Sequence, residues 1–137
     1  GYFNFKFKEE REILANIPAI KGKETKFKLE RFEQVQANAI VMSGYALIKN
    51  MNPDNTMTIL CFKDEQGNAA NYFICQKYAR PDITQANSAD NTNYNMCGFH
   101  TFFNPKEVKP GKYLLEIIIT DSNYKVEINT GQMLNMQ

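Results

Sequence analysis

The sequence predicts an all-β fold: an antiparallel immunoglobulin-like β-sandwich of about seven or eight strands with a short N-terminal arm. Three observations carry this. Apolar side chains recur at every second position in short segments, the period of a strand with one buried face. Turn residues interrupt those segments every ~8–12 positions, as in a sandwich. No helical pattern long enough to cross over between parallel strands intervenes, which excludes a parallel α/β sheet. The length of 137 residues suits one domain. Residues 1–22 read as an arm or juxtamembrane linker, and residues 23–137 as the sandwich.

The elements follow in order. Phe3, Phe5 and Phe7 alternate with Asn4 and Lys6. That pattern fits a first strand and equally an aromatic, Lys-bearing segment at a membrane interface. Residues 9–16 suit a short helical turn stopped by Pro18. Ile17 to Gly22 is extended, since the residue before proline leaves the helical region. From Thr25, Phe27 and Leu29 alternate with charges, and Phe32 breaks the phase. A bulge or strand end near Arg31 is therefore expected. Ala39 to Ile48 is a nearly unbroken apolar run, either buried on both faces or bent at Gly44. Asn50 to Asn55 is a turn by composition.

Met57–Lys63 and Tyr72–Lys77 read as the next two strands. Gly67-Asn68 supplies the positive φ of the turn between them. Arg80 to Asn95 reads as a long polar loop and the best local candidate for a functional surface. Gly98–Phe103 is a short aromatic strand, and Asn104 to Gly111 a turn. In Lys112–Thr120, Tyr113, Leu115, Ile117 and Ile119 share a face. Asp121 to Asn123 turns the chain again, Tyr124, Val126 and Ile128 alternate, and the tail with Met133, Leu134 and Met136 suits an edge strand.

Sixteen basic and fifteen acidic side chains leave a net charge of +1. That balance carries no electrostatic footprint for nucleic acid. No apolar run reaches the ~18–20 residues of a membrane helix. Any membrane link is expected through a segment outside these residues, since Gly1 stands where an initiator Met or a leader would. Cys61, Cys75 and Cys97 read as small, buried, reduced side chains. Cys61 and Cys75 lie on neighbouring strands, so one bridge between them stays open at this level. Their spacing matches no zinc knuckle.

Four phrases stand together: Gly44-Tyr45-Ala46-Leu47-Ile48, Tyr78-Ala79-Arg80-Pro81-Asp82-Ile83-Thr84, Gly98-Phe99, and Lys109-Pro110-Gly111-Lys112-Tyr113. In this order they resemble a β-sandwich domain found outside the cytoplasmic membrane in bacterial cell-surface and glycan-related membrane proteins. The resemblance spans roughly residues 25 to 130. Tyr45 departs from it, standing where the pattern has Trp. It implies an extracytoplasmic, membrane-anchored accessory domain and no catalytic residue.

The chemistry available is sparse: one His, three Ser and no Trp. His100, between aromatic neighbours on a strand, reads as structural. Cys97 stands three residues from it, a spacing that sends strand side chains to opposite faces. Pro81 fixes the chain direction between Arg80 and Asp82, whose charges would anchor the loop. Ligand binding through the guanidinium fork is the second reading. Asp82, Asp90 and Asn91 supply oxygens of the kind a calcium ion takes, without EF-hand spacing, so no metal or other cofactor is assigned. Tyr45, Tyr78, Tyr94, Phe102 and Phe103, with the Asn-rich loop, supply the ingredients of a carbohydrate site. The candidate ligand-binding residues are thus Tyr78, Arg80, Asp82, Asp90, Asn91 and Tyr94. The expectation is a non-catalytic recognition module for a glycan or a protein partner. The rivals are a small cell-envelope hydrolase using loop carboxylates and a structural spacer.

Overall fold

The computed structural model describes residues 11–137. The expectation for Phe3, Phe5 and Phe7 lies outside those residues. Residues 11–16 are helical (α1). The strands are β1 (Thr25–Gln36), β2 (Ala39–Ile48), β3 (Met57–Lys63), β4 (Ala69–Ile74), β5 (Gln76–Tyr78), β6 (Gly98–Phe103), β7 (Gly111–Thr120) and β8 (Lys125–Met136). A short helix α2 spans Pro81–Ala86, and 3-10 turns cover Ser88–Asp90, Asn95–Cys97 and Pro105–Glu107.

The strands form two four-stranded antiparallel sheets, ordered β1-β2-β6-β5 and β4-β3-β7-β8. In immunoglobulin lettering these are A-B-E-D and C′-C-F-G, so the fold is an immunoglobulin-like sandwich. Alternation along each strand sends one set of side chains between the sheets. Ile40, Met42, Ala46 and Ile48 of β2 meet Leu60 and Phe62 of β3, Phe99 and Phe103 of β6, and Tyr113, Leu115, Ile117 and Ile119 of β7. The rings interlock, Phe62 edge-on to Phe73 at 5.3 Å and Phe73 stacked on Phe103 at 4.4 Å. Each such fully buried side chain contributes roughly 1.5–3 kcal/mol.

The Lys109–Tyr113 phrase acquires a mechanical meaning. Tyr113 enters β7 and donates its hydroxyl to Lys109 O at 2.6 Å. A tyrosine that bonds back to the chain just before the sixth immunoglobulin strand is the tyrosine corner of such sandwiches. Two residues on, where antibody domains place a cysteine, this chain has the fully buried Leu115. Packing substitutes for a bridge there.

The bulge expected near Arg31 is present: the β1–β2 register shifts between Leu29 and Arg31. Gly44 faces that bulge. A Cβ there would stand 1.9 Å from Lys28 O, so only glycine lets β1 come this close.

Four expectations change. The run Tyr72–Lys77 is two strands in different sheets, not one. β4 pairs with β3 as far as Ile59 with Ile74, Cys75 N–H donates to Thr58 O, and β3 begins at Met57. With its partner exhausted, the chain crosses to the opposite sheet and pairs β5 with β6. The stretch from Arg80 to Asn95 is not a featureless loop. Pro81 sits at the helix start, where its missing N–H costs nothing, and Asp82 occupies the favourable first turn of α2. The tail adds no separate strand but continues β8 past an irregularity opposite Leu114–Glu116, with Gly131 at φ +68°. The positive φ of the β3–β4 turn belongs to Gly67 alone. Among the described residues, no helix is long and apolar enough to cross a membrane.

Candidate functional site

Arg80 leaves β5 across the outer face of the first sheet. Gly98 makes room for it, since a Cβ there would lie 2.8 Å from Arg80 Cγ. The guanidinium is held on both edges. Nη1 and Nη2 fork onto the Glu30 carboxylate, the second at 3.1 Å. Nε and Nη2 fork onto Asp82 at 3.0 and 2.9 Å. The plane lies over the Tyr45 ring at 5.5 Å and the Tyr78 ring at 6.0 Å. The Arg80 side chain is only 15% exposed. The two carboxylates hold its pKa above the ordinary value, and Arg80 in turn holds Asp82 below the usual carboxylate range. Tyr78 adds its hydroxyl at 3.4 Å from Nη1 and donates to Gly44 O at 3.3 Å.

Tyr94 is fully buried with Leu47, Ile83 and Cys97, beneath α2 and its following turns. Its hydroxyl donates to Asp90 Oδ2 and accepts from Asn50 N–H, both at 2.8 Å. Its own N–H donates to Thr84 Oγ1, which bonds Asn95 Oδ1 at 2.6 Å. Asn91 takes a left-handed φ of +50° and lines a shallow polar depression of about 390 Å³ with Thr84, Gln85 and Asn93.

The six candidate residues therefore fall into two groups. Tyr78, Arg80 and Asp82 form one anchored cluster, and Asp90 with Tyr94 forms another, with Asn91 at the surface beside it. Asp82 and Asp90 serve different partners, and no group of three His, Cys, Asp or Glu side chains gathers among the described residues. Tyr94 offers no ring face to a sugar, because burial removes it from the depression.

His100 sits edge-on between Tyr78 and Phe102, at 6.0 and 5.8 Å. Cys97 is in the 3-10 turn before β6 rather than on the strand, so the alternation of faces does not apply to it; it is buried in the Tyr94 cluster on the same outer side of the sheet, and burial pushes its thiol up to about 11. Burial likewise lifts Cys61 and Cys75 to about 12. All three are free. Cys61 faces outward under α1 and Cys75 faces the core, so a bridge between them is excluded by the sheet itself.

The outer face of the second sheet carries features that the strand pattern did not single out. There Leu14 of α1 and Ile17 just after it lie over Ile59, Cys61, Ile118 and Tyr72. Lys125 Nζ fastens the end of α1 at Leu14 O, 2.8 Å away. Beside α1 runs an apolar groove of about 480 Å³, walled by Ile13, Met57, Tyr72 and Ile74 and rimmed by Asn55 and Asp121. The outward positions of β3 (Ile59, Cys61) were legible as alternation, but their partner α1 was not, because its apolar stretch is only Ile13-Leu14-Ala15. Comparisons of the chain with protein-family models, with curated proteins and with solved structures each return no match.

Proposed function

We propose that this chain is a non-catalytic accessory module of a bacterial membrane-linked surface protein, lying outside the cytoplasm, and that it recognises a partner protein through the groove beside α1. The compartment rests on the sequence resemblance.

The groove carries the recognition reading. Eight large apolar side chains stand exposed among the described residues. Three of them, Ile13 at 55%, Met57 at 44% and Ile74 at 46%, line this one concavity. A cluster of that kind favours an occupant bearing aliphatic or aromatic side chains. The polar rim at Asn55 and Asp121 meets such a segment's backbone. A glycan stacked on the loop is less well supported, since Tyr94 is buried. A hydrolase built on Asp82 and Asp90 is less well supported too, since Arg80 and the Tyr94 hydroxyl occupy them.

Photo-crosslinking in the full-length protein, in its own cells, tests the reading. A benzophenone side chain at Met57 should yield one defined product, and Ile74→Lys in the same chain should abolish it. The same probe at Val35, exposed on the other sheet, should yield none. Absence of a Met57 product, or its survival with Ile74→Lys, overturns the proposal.

A further inference from the structure

The outer face of the first sheet carries an open row of polar side chains. Ser43 of β2 is opposite His100 of β6, and His100 is opposite Gln76 of β5. Met42 and Phe99, next to Ser43 and His100 in sequence, belong to the core, so the row points outward. Registered neighbours stand ~5 Å apart, so three of them span roughly 10 Å. Ser43 and His100 are half-buried and Gln76 is exposed. No hydrogen bond joins any of these three side chains to another described residue. Each of them can both donate and accept.

Aromatic rings border the row on both sides. His100 meets Tyr78 at 6.0 Å and Phe102 at 5.8 Å. Phe102 is 63% exposed, more than any other large apolar side chain among the described residues. Its plane stands at 85° to the imidazole, so a flat ligand can lie on only one of the two rings, and Phe102 is the open one. On the Tyr78 side the row ends at Arg80, which packs against Tyr45 and Tyr78. The arginines nearest the row are already neutralised. Arg31, opposite Ser43, is paired with Glu33, and Arg80 with Glu30 and Asp82.

We propose that this face binds a neutral glycan chain, one pyranose stacking on Phe102 and the hydroxyls around it bonding to Ser43, His100 and Gln76. A pyranose has an apolar face of C–H groups and a rim of hydroxyls that donate and accept. The face matches both parts. Phe102 offers the negative face of its ring to the C–H groups. The row offers neutral groups of both hydrogen-bonding senses within one ring's reach of it. The balanced charge complements a neutral ligand. Because the row crosses three strands, it meets successive units of a chain, whose contacts add. The site is on the opposite sheet from the groove beside α1 and does not rest on the docking proposal.

Amide spectra of the ¹⁵N-labelled chain, titrated with cellohexaose, maltohexaose, mannohexaose and chitohexaose, read this directly. At least one hexasaccharide should shift the Ser43, Gln76, His100 and Phe102 amides saturably. Its monosaccharide should bind at least tenfold more weakly, and glycerol should leave these amides unmoved. Phe102→Ala should weaken binding at least tenfold, about 1.4 kcal/mol, while Phe102→Tyr keeps the ring and the affinity. Gln76→Ala should weaken it about threefold. Phe102 and Gln76 are exposed, and the spectrum of each variant reports that it is folded. No saturable shift at these amides with any hexasaccharide overturns the site, and so does an equal response to glycerol. Unchanged affinity in folded Phe102→Ala overturns the stacking. A monosaccharide that binds as tightly as its hexamer overturns the chain. A benzophenone side chain at position 102 of the full-length protein that captures a protein, with no hexasaccharide response, assigns the face to a protein partner and overturns the proposal.

Discussion

Arg80 is a side chain whose donors are all committed to its own fold. Asp82 was readable beside it, two residues away across Pro81. Glu30 was not, because fifty residues separate it from Arg80 and only the β1 bulge brings it over the sheet. Anchoring therefore rests on one local and one remote carboxylate, and lysine cannot fork onto both. Arg80→Ala should cost about 2 kcal/mol, between a surface pair and a buried one, because Glu30 and Asp82 regain water. For a chain of this size that lowers Tm by about 6–10 °C. Arg80→Lys should recover less than half of it. The Asp82 arm also has a pH signature. Its folded pKa is depressed, so its contribution is complete above the ordinary value of 3.8 and is lost as pH falls through the folded value. The gap between wild type and Arg80→Ala should narrow in acid. A melting temperature unmoved by Arg80→Ala would remove the anchoring role.

At the scale of elements, legibility tracked local signals. Phe32 out of phase announced the bulge, Pro110-Gly111 announced β7, and the alternation of Tyr113, Leu115, Ile117 and Ile119 gave its core face. What failed lacked a local signal or carried a conflicting one. Nothing in Ile74-Cys75-Gln76 marks a change of sheet, since that crossing is dictated by where β3 begins. At α2 the signal existed, as Pro81 followed by Asp82, but the surrounding asparagines argued for a loop. Gly44 is the element-scale case that can be measured. Because the bulged strand brings Lys28 O to within 1.9 Å of where a Cβ would stand, Gly44→Ala must push β1 off β2. The obstacle is backbone, which cannot rotate aside as a side chain would. A loss of about 3 kcal/mol is expected, at the upper end of overpacking costs, read from the denaturation midpoint at unchanged slope. A loss below about 0.5 kcal/mol, the scale of an innocuous surface change, would mean that β1 does not approach as closely as described.

The molecule as a whole is a sandwich with a covering on each outer face. α2 and its turns seat Ile83, Tyr94 and Cys97 on Leu47 of the first sheet. The arm seats Leu14 and Ile17 on Ile59, Cys61 and Ile118 of the second. Apolar β3 and β7 needed such a covering, but the sequence placed the arm as a linker because its few apolar residues form no long period. The two coverings differ in what they share with the core. The Tyr94 layer lies between β5 and β6 in the chain and hydrogen-bonds to Asn50 after β2, so it is bound up with the sheets. The described part of the arm precedes β1 and meets the second sheet through Arg11 to Ala69 O, Lys125 to Leu14 O and the bond from Ile20 N–H to Lys125 O. It can therefore open while the main core stays closed, as weakly held segments do. Leu14→Asp places a charge in the arm's buried contact and should open it selectively. Cys61, now masked by α1, should then react with a thiol reagent at least tenfold faster, a population change of about 1.4 kcal/mol. Cys75 and Cys97 should keep their slow rates, because neither faces the arm. Mass spectrometry of the labelled protein separates the three sites. Simultaneous acceleration of all three would make the arm part of one cooperative unit with the sandwich, and no acceleration at Cys61 would mean that something other than α1 protects it.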